Sequence, residues 1–384
     1  MRIAVNARML QKGKLEGIGY FCLETFRRIT HDHPEHEFLF IFDRPFDPEY
    51  VFSPNVTPIV AGPAARHPIL WYLWYEWSLP RVFRKWKPDL FVSSDGYLSL
   101  RSQVPTLSVI HDINFEHYPG DLPFFNRAYY RHFFPRYAKA AARIATVSSF
   151  SRDDISRQYG ISTDKIDVVY NGVNDGFVPL QESENRKTRE QLTGGKPYFL
   201  FIGSIHQRKN IVNLLNAYEQ FRTNGGPDVC LVFAGTKRWW TPEMETSLQN
   251  MRYRQDVHFT GRVAEADLFR ITAAALALTY VSTFEGFGIP LLEAMRCGVP
   301  VLTANVTSMP EVAGDAALLV DPFSVEDISK GMQRLSVDAQ LRQELSQRGL
   351  IRSRDFSWDF TARDLWNSIG RTMSTLENDS RRHG

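Results

Sequence analysis

Two adjacent cations and two glutamates eight positions apart are the residues of this 384-residue chain best placed to do chemistry. Arg208-Lys209 follows the apolar run Tyr198–Ile202, and Glu285 follows the apolar run Ala275–Val281. Both runs read as buried strands. After Glu285 come Gly286-Phe287-Gly288 and then Ile289-Pro290, which opens a helix with Glu293 expected in its first turn. Proline suits the start of a helix because the N–H it lacks would be unpaired there anyway. A strand, a glycine-rich turn and a helix leave backbone N–H groups at the helix N-terminus, a seat for phosphate. One carboxylate can accept from two vicinal hydroxyls, which suits Glu293 to a ribose. A departing diphosphate gains negative charge, and a fixed cation pair would stabilise it. Together these residue types suggest a nucleotide-sugar pocket.

The stretch from Ser282 to Met295 resembles the E-x7-E signature of retaining family-4 glycosyltransferases. Two glutamates at this spacing arise often by chance, but the block from Glu285 to Pro322 is specific. Gly298-Val299-Pro300-Val301, Met309 to Ala316 and Val320-Asp321-Pro322 continue the likeness, which spans about Met1 to about Trp358. It implies an α/β GT-B fold, two Rossmann-like domains with parallel sheets facing a central cleft and a C-terminal helix returning to the N-terminal domain. It also implies retaining transfer of a hexose from a nucleotide-diphosphate sugar to a saccharide or lipid-linked saccharide.

The resemblance further distributes roles. Glu285 is expected near the donor sugar, where it would orient hydroxyls or steady positive charge at the anomeric carbon. His111, ending the run Thr106 to Ile110, would stand beside that sugar, with Asp112 as a positioning or capping group. Gly286, Phe287, Gly288 and Ile289 would line the phosphate or sugar with backbone groups. Gly261-Arg262-Val263 would seat the base, and the loop ending in Gly17-Ile18-Gly19 would approach the donor phosphate. Arg208 and Lys209 would take the place of a metal, since the chain has no Asp-x-Asp pair to hold one. No metal or cofactor is therefore expected. Similar sequences include many mannosyltransferases, so GDP-mannose is the first donor expected and a UDP-sugar the second. An epimerase on the same scaffold and a non-catalytic nucleotide-sugar-binding partner are the rival readings.

The elements needed to position these residues are visible as alternating apolar and helical stretches. Arg2–Ala7, Glu37–Phe42, Val56–Val60, Asp89–Ser93, Thr106–His111, Ile144–Ser148 and Ile166–Tyr170 read as strands. Tyr198–Ile202, Val229–Ala234, Val257–Thr260, Leu276–Val281, Val299–Thr303 and Ala317–Val320 form a second set. Such runs between helices indicate parallel sheets covered on both faces. The expected division is residues 1–178 as an acceptor domain, 179–196 as a linker, 197–357 as a donor domain and 358–384 as the returning helix and tail. Apolar residues Phe360, Leu365, Trp366 and Ile369 space that helix, and Arg381-Arg382-His383 is expected to fray. A dinucleotide fingerprint closed by Asp43 is disfavoured. Its glycines would have to follow the first strand directly, but Gly17 comes ten residues later and Cys22 stands where the third glycine belongs.

A formal charge of +2 argues against general nucleic-acid binding. Cys22, Cys230 and Cys297 are scattered, which suits a reducing compartment. No secretory leader and no apolar run of about 18 residues is expected. The reading is a cytoplasmic protein, with a peripheral contact at the inner membrane face as an added prospect. That prospect rests on two aromatic–basic stretches, Trp71 to Lys87 and Phe124 to Phe134. Aromatics among cations favour a membrane–water interface; the alternative is that the aromatics are core faces of helices and the cations ordinary solvated ones.

Overall fold

A computed structural model describes residues 1–383, with side chains to Leu376, so the expected fraying of Arg381-Arg382-His383 lies outside the described side chains. The chain divides into two compact units, Met1–Gly172 with the segment from Trp358 onward, and Val173–Ser357. In the first unit the strands are β1 (Arg2–Asn6), β2 (Glu37–Phe42), β3 (Val56–Val60), β4 (Leu90–Ser93), β5 (Thr106–Val109), β6 (Arg143–Thr146) and β7 (Ile166–Val168). They form one sheet in the order β3-β2-β1-β4-β5-β6-β7, parallel throughout. In the second unit, β8 (Tyr198–Ile202), β9 (Cys230–Ala234), β10 (Val257–Gly261), β11 (Ala277–Tyr280), β12 (Val301–Ala304) and β13 (Leu318–Val320) make a parallel sheet ordered β10-β9-β8-β11-β12-β13. Strand order reverses between β1 and β4 and again between β8 and β11. In open parallel sheets these reversal points, at the carboxyl ends of the strands, are where crevices for ligands form.

The last helix, Trp358–His383, belongs to the first unit. Trp358, Ala362, Leu365 and Ile369 form its buried stripe, packed with Ile3, Val5 and Phe21. Thr361 donates to the Tyr170 carbonyl at 2.8 Å, and Ser368 donates to Asp167 at 2.6 Å. Trp366 stacks on His33 with ring centroids 3.8 Å apart. Phe360, expected in the apolar stripe, is instead 42% exposed, because it lies two positions from Trp358 and so points away from the packed face.

Two further expectations change. Gly17-Ile18-Gly19 is not a loop but the opening of the helix Gly17–Asp32, preceded by extended Glu16. A Cβ on Gly19 would lie 2.9 Å from Leu15 Cδ2 and 3.0 Å from the Met9 carbonyl oxygen, so this glycine is required by a close approach. The polar segment 179–196 holds the helix Glu182–Thr193, inside the second unit. Of the aromatics in the two aromatic–basic stretches, Trp71, Trp74, Tyr75, Phe83, Tyr129 and Phe134 are buried in one core cluster, and Tyr72, Trp86, Tyr130 and Phe133 pack partly buried against it. Among the described residues no helix is long and apolar enough to cross a membrane.

Candidate functional site at the β8/β11 reversal

The loops leaving β8 and β11 are tied together before any charge is placed. Thr283 donates to the Arg208 carbonyl through its N–H at 2.8 Å and its hydroxyl at 3.1 Å. Asn210, in the left-handed region at φ 62°, donates to the Val281 carbonyl at 3.0 Å and the Pro322 carbonyl at 2.6 Å. Asparagine is one of the few side chains that tolerate this backbone, so the loop is held by its own side-chain chemistry.

On that frame the cations and Glu285 converge. Arg208 Nη1 lies 2.7 Å from Glu285 Oε2 and donates to the Phe284 carbonyl at 3.0 Å. Lys209 Nζ lies 2.5 Å from Glu285 Oε1, bonds the Tyr280 hydroxyl, and sits 4.6 Å from the centre of the Tyr280 ring. Tyr280 in turn donates to Glu285 Oε1 at 3.1 Å. Glu285 is only 6% exposed. Burial pushes its carboxyl upward, yet the Arg208 and Lys209 charges outweigh that and bring it down to about 2. Burial and the neighbouring Glu285 raise the Tyr280 phenol far above its ordinary value, so it stays a donor. Glu285 is therefore a fixed anion holding two cations at the mouth of a parallel-sheet crevice.

The following turn is shaped for the backbone. Glu285 N–H faces Thr307 Oγ1 at 3.4 Å, while Ser308 Oγ donates to the Glu285 and Phe287 carbonyls at 2.9 and 3.1 Å. Phe287 is buried with its ring against Phe356, so its side chain serves the core. Gly288 has φ 103°, a backbone that strains any side chain, and a Cβ there would lie 2.6 Å from Met309 Cε and push it aside. The helix Ile289–Arg296 starts immediately after, with Pro290 as its second residue.

Glu293 is the fifth residue of that helix, in its second turn rather than its first. A helix dipole acts within the first turn, so dipole complementation does not explain this carboxylate. It is half-buried, and burial, with the charge of Glu265 adding, pushes its carboxyl from 4.5 up to about 8. Glu265 opens the helix that follows Gly261-Arg262-Val263 and accepts from Asn174 at 2.6 Å. Gly261 ends β10 at φ 68°, and Val263 is half-buried beyond it.

The Glu293 shift has a measurable consequence. The folded chain holds a proton on Glu293 that the unfolded chain has lost, so stability falls as pH rises from about 4.5 to about 8. Glu293→Gln should remove this loss: its melting temperature relative to wild type should rise by several degrees between pH 5 and pH 8.5, on the order of 2 kcal/mol. Parallel melting curves at the two pH values would contradict the assignment.

His111, Gly17 and Gly19 lie in the first unit, while Arg208, Lys209, Val263, Glu285 to Ile289 and Glu293 lie in the second. His111 stands two residues beyond β5, its Nε2 3.0 Å from the Ser94 carbonyl and its ring edge-on to Phe21 at 5.0 Å. A carbonyl only accepts, so Nε2 carries the hydrogen and Nδ1 keeps a lone pair. Burial lowers the His111 pKa, which keeps the ring neutral. Asp112 caps its own turn, accepting from Asn114 N–H at 3.0 Å, and Ser148 caps the helix Ser149–Tyr159. Asp43 is taken by Arg44 at 2.6 Å and by the Ala65 N–H at 2.7 Å.

Sequence reading missed Tyr280, Thr307, Ser308 and Asn210. Tyr280 sits in an apolar strand and looks like core; its signal is a phenol at the last strand position before an acidic turn. It also missed a network at the β1/β4 reversal. Arg8 Nε lies 2.5 Å from Asp95 Oδ2, Tyr75 donates to Asp95 Oδ1 at 3.1 Å, and Asn6 donates to the Tyr75 hydroxyl at 2.9 Å. Arg8 also lies over the Tyr97 ring at 4.8 Å. Nothing short of the fold brings residues 8 and 95 together.

Residues 182–351 match the model of glycosyl transferases group 1, and residues 17–177 match that of glycosyltransferase family 4. The chain is 31% identical over 284 residues to O-antigen chain mannosyltransferase B of Escherichia coli, covering 74% of this chain and 73% of that protein. It is 27% identical over 275 residues to the O-antigen chain mannosyltransferase RfbU of Salmonella typhimurium, covering 71% and 72%. Among solved structures, Anabaena HepE in complex with UDP-glucose superposes with a TM-score of 0.75 at 18% identity, over 97% of this chain and all of that one (100%). Sucrose-phosphate synthase from Thermosynechococcus elongatus gives 0.76 at 17% identity, over 97% and 99%. The twin parallel sheets are those of the GT-B fold, and the chain belongs to the group 1 glycosyltransferases.

Proposed function

We propose that this glycosyltransferase moves mannose, with retention, from GDP-mannose to a saccharide or lipid-linked saccharide, and that it does so without a metal. A UDP-sugar is the second donor in order. The observation that carries the reading is the convergence of Arg208 and Lys209 on Glu285 at a sheet reversal, next to a helix N-terminus opened by Gly288. The mannose assignment is supported by the mannosyltransferase relatives.

The donor's diphosphate would sit against the two cations and the helix amides. As the bond from the anomeric carbon to the phosphate oxygen breaks, the electron pair leaves on the nucleoside diphosphate, where Arg208 and Lys209 meet the growing charge. The acceptor oxygen forms the new bond on the same face, and its proton passes to the leaving phosphate oxygen. Both Glu285 oxygens are engaged, which supports a role in orienting cations over one as attacking nucleophile. Glu293, carrying its proton near neutral pH, would accept from one ribose hydroxyl and donate to the other, Val263 would face the base, and His111, with Gly17 and Gly19 at a helix start, would serve the sugar and phosphate.

A thermal-shift panel of nucleoside diphosphates and their sugars tests the donor, since a ligand bound by the native state raises the melting point. At equal ligand concentration GDP and GDP-mannose should raise it most, equivalent to about 3 kcal/mol of added stability where the ligand stands a hundredfold above its Kd. Transfer should persist in EDTA. A larger shift with UDP, or activity abolished by EDTA and restored by magnesium, would overturn the corresponding part.

A further inference from the structure

We infer that one edge of the first unit is a docking surface for an anionic lipid bilayer. The inference does not rest on the transfer reading. The aromatics of the segment 68–86 are split by its fold. Trp71, Trp74 and Tyr75 are core, but Ile69, Leu73 and Trp77, spaced four apart, stand out at 65%, 38% and 44% exposure. The segment runs from the helix Pro68–Leu73 through a widened turn, Trp74–Ser78, into the helix Leu79–Trp86. Beside it, the helix Phe124–Ala140 begins with Phe124 and Phe125, exposed at 68% and 67%. Between these elements lies an apolar groove of about 530 Å³, lined by Ile69, Tyr72, Phe125, Ala128 and Phe133 among others. Exposed aromatic and aliphatic side chains collected on one surface mark an interaction site.

Charge selects the partner. Residues 66–87 and 122–140 together carry nine Lys and Arg, and a single acid, Glu76. Glu76 is 3% exposed and spent on the Leu100 and Arg101 backbone N–H groups at 3.0 and 3.1 Å. The surface charge here is therefore positive in a chain whose total is only +2. Cations also lie directly on the outer aromatics: Arg101 stands 4.4 Å and Arg81 5.9 Å from the Trp77 ring, and Arg127 stands 5.8 Å from that of Phe124. Protruding Phe, Ile and Trp ringed by Arg and Lys match the boundary between acyl chains and anionic headgroups.

Flotation of the full chain with phosphatidylcholine vesicles, with and without phosphatidylglycerol, tests this. The wild type should float with the anionic vesicles at low salt, and much less at about 0.5 M salt. Phe124→Ser/Phe125→Ser should weaken partitioning about tenfold or more, through loss of apolar insertion. Arg84→Glu/Lys85→Glu should weaken it on anionic vesicles in particular. Both variants alter exposed side chains outside the candidate site, so melting temperature and transfer to a soluble acceptor should be unchanged. No flotation of wild type at low salt, equal flotation of the variants, or equal binding to neutral vesicles would each overturn the proposal. So would a concentration-dependent dimer dissolved by the same variants without vesicle binding.

Discussion

Lys209→Met is expected to lower kcat/KM by about 10²- to 10³-fold while leaving the melting temperature close to wild type. The Lys209 side chain is only 11% exposed, its ammonium placed against Glu285 and the Tyr280 hydroxyl and 4.6 Å from the centre of the Tyr280 ring. Methionine keeps an unbranched stem against that ring, so packing survives and only the charge is lost. Glu285 keeps Arg208 on one oxygen and the Tyr280 hydroxyl on the other, so its charge remains compensated. The missing cation is one the leaving diphosphate needs most as the bond breaks, hence a larger effect on kcat than on donor KM. Lys209→Arg should not rescue, because a planar guanidinium does not fit where a compact ammonium meets a ring and a carboxylate. Steady-state kinetics with donor varied would check this; a loss under about threefold would remove Lys209 from the transition state.

Glu285→Gln should act differently, lowering both transfer and stability. A neutral amide leaves Arg208 and Lys209 close together without their shared counter-charge. Breaking a buried pair in this way costs about 3–5 kcal/mol, with the amide's remaining hydrogen bonds placing this variant toward the lower end. Transfer should fall about 10²-fold or more, because the cations lose the anion that aims them. The pH dependence has a definite sign. Glu285 titrates near 2 when folded against an ordinary 4.5, so its stabilisation is present above 4.5 and is lost as pH falls toward 2. Wild type and variant should therefore differ most in melting temperature at neutral pH and converge in acid. A gap that persists unchanged at low pH would mean the loss comes from packing. The burial and the double ion pair that set this stability cost are visible only in the fold.

Sheet order and the site drew on different amounts of sequence information. Strands such as Glu37–Phe42 and Tyr198–Ile202 were legible because parallel strands buried on both faces are continuous apolar runs. Glu285, Arg208 and Lys209 were legible because each lies in the loop after such a run and because the block around Glu285 resembles a known family signature. The Gly17 helix start was not, because two glycines in the opening turn look the same as a loop. Glu293 was placed a turn too early because a Pro marks the beginning of a helix only to within a residue or two. The Arg8–Asp95 pair and the Tyr280 hydroxyl depend on contacts between segments far apart in sequence or on a polar tip carried by an apolar ring. In the aromatic stretches, residue type alone could not separate buried Trp74 from exposed Trp77; the widened turn at Trp74–Ser78 separates them.

The most direct test of the central claim is a crystal structure of the protein with bound GDP, read at the β-phosphate. The account predicts a phosphate oxygen within about 3 Å of a side-chain nitrogen of Arg208 or Lys209, beside the amides that open the helix after Gly288. A β-phosphate seated away from both cations, for instance at the helix start near Gly17 alone, would contradict it.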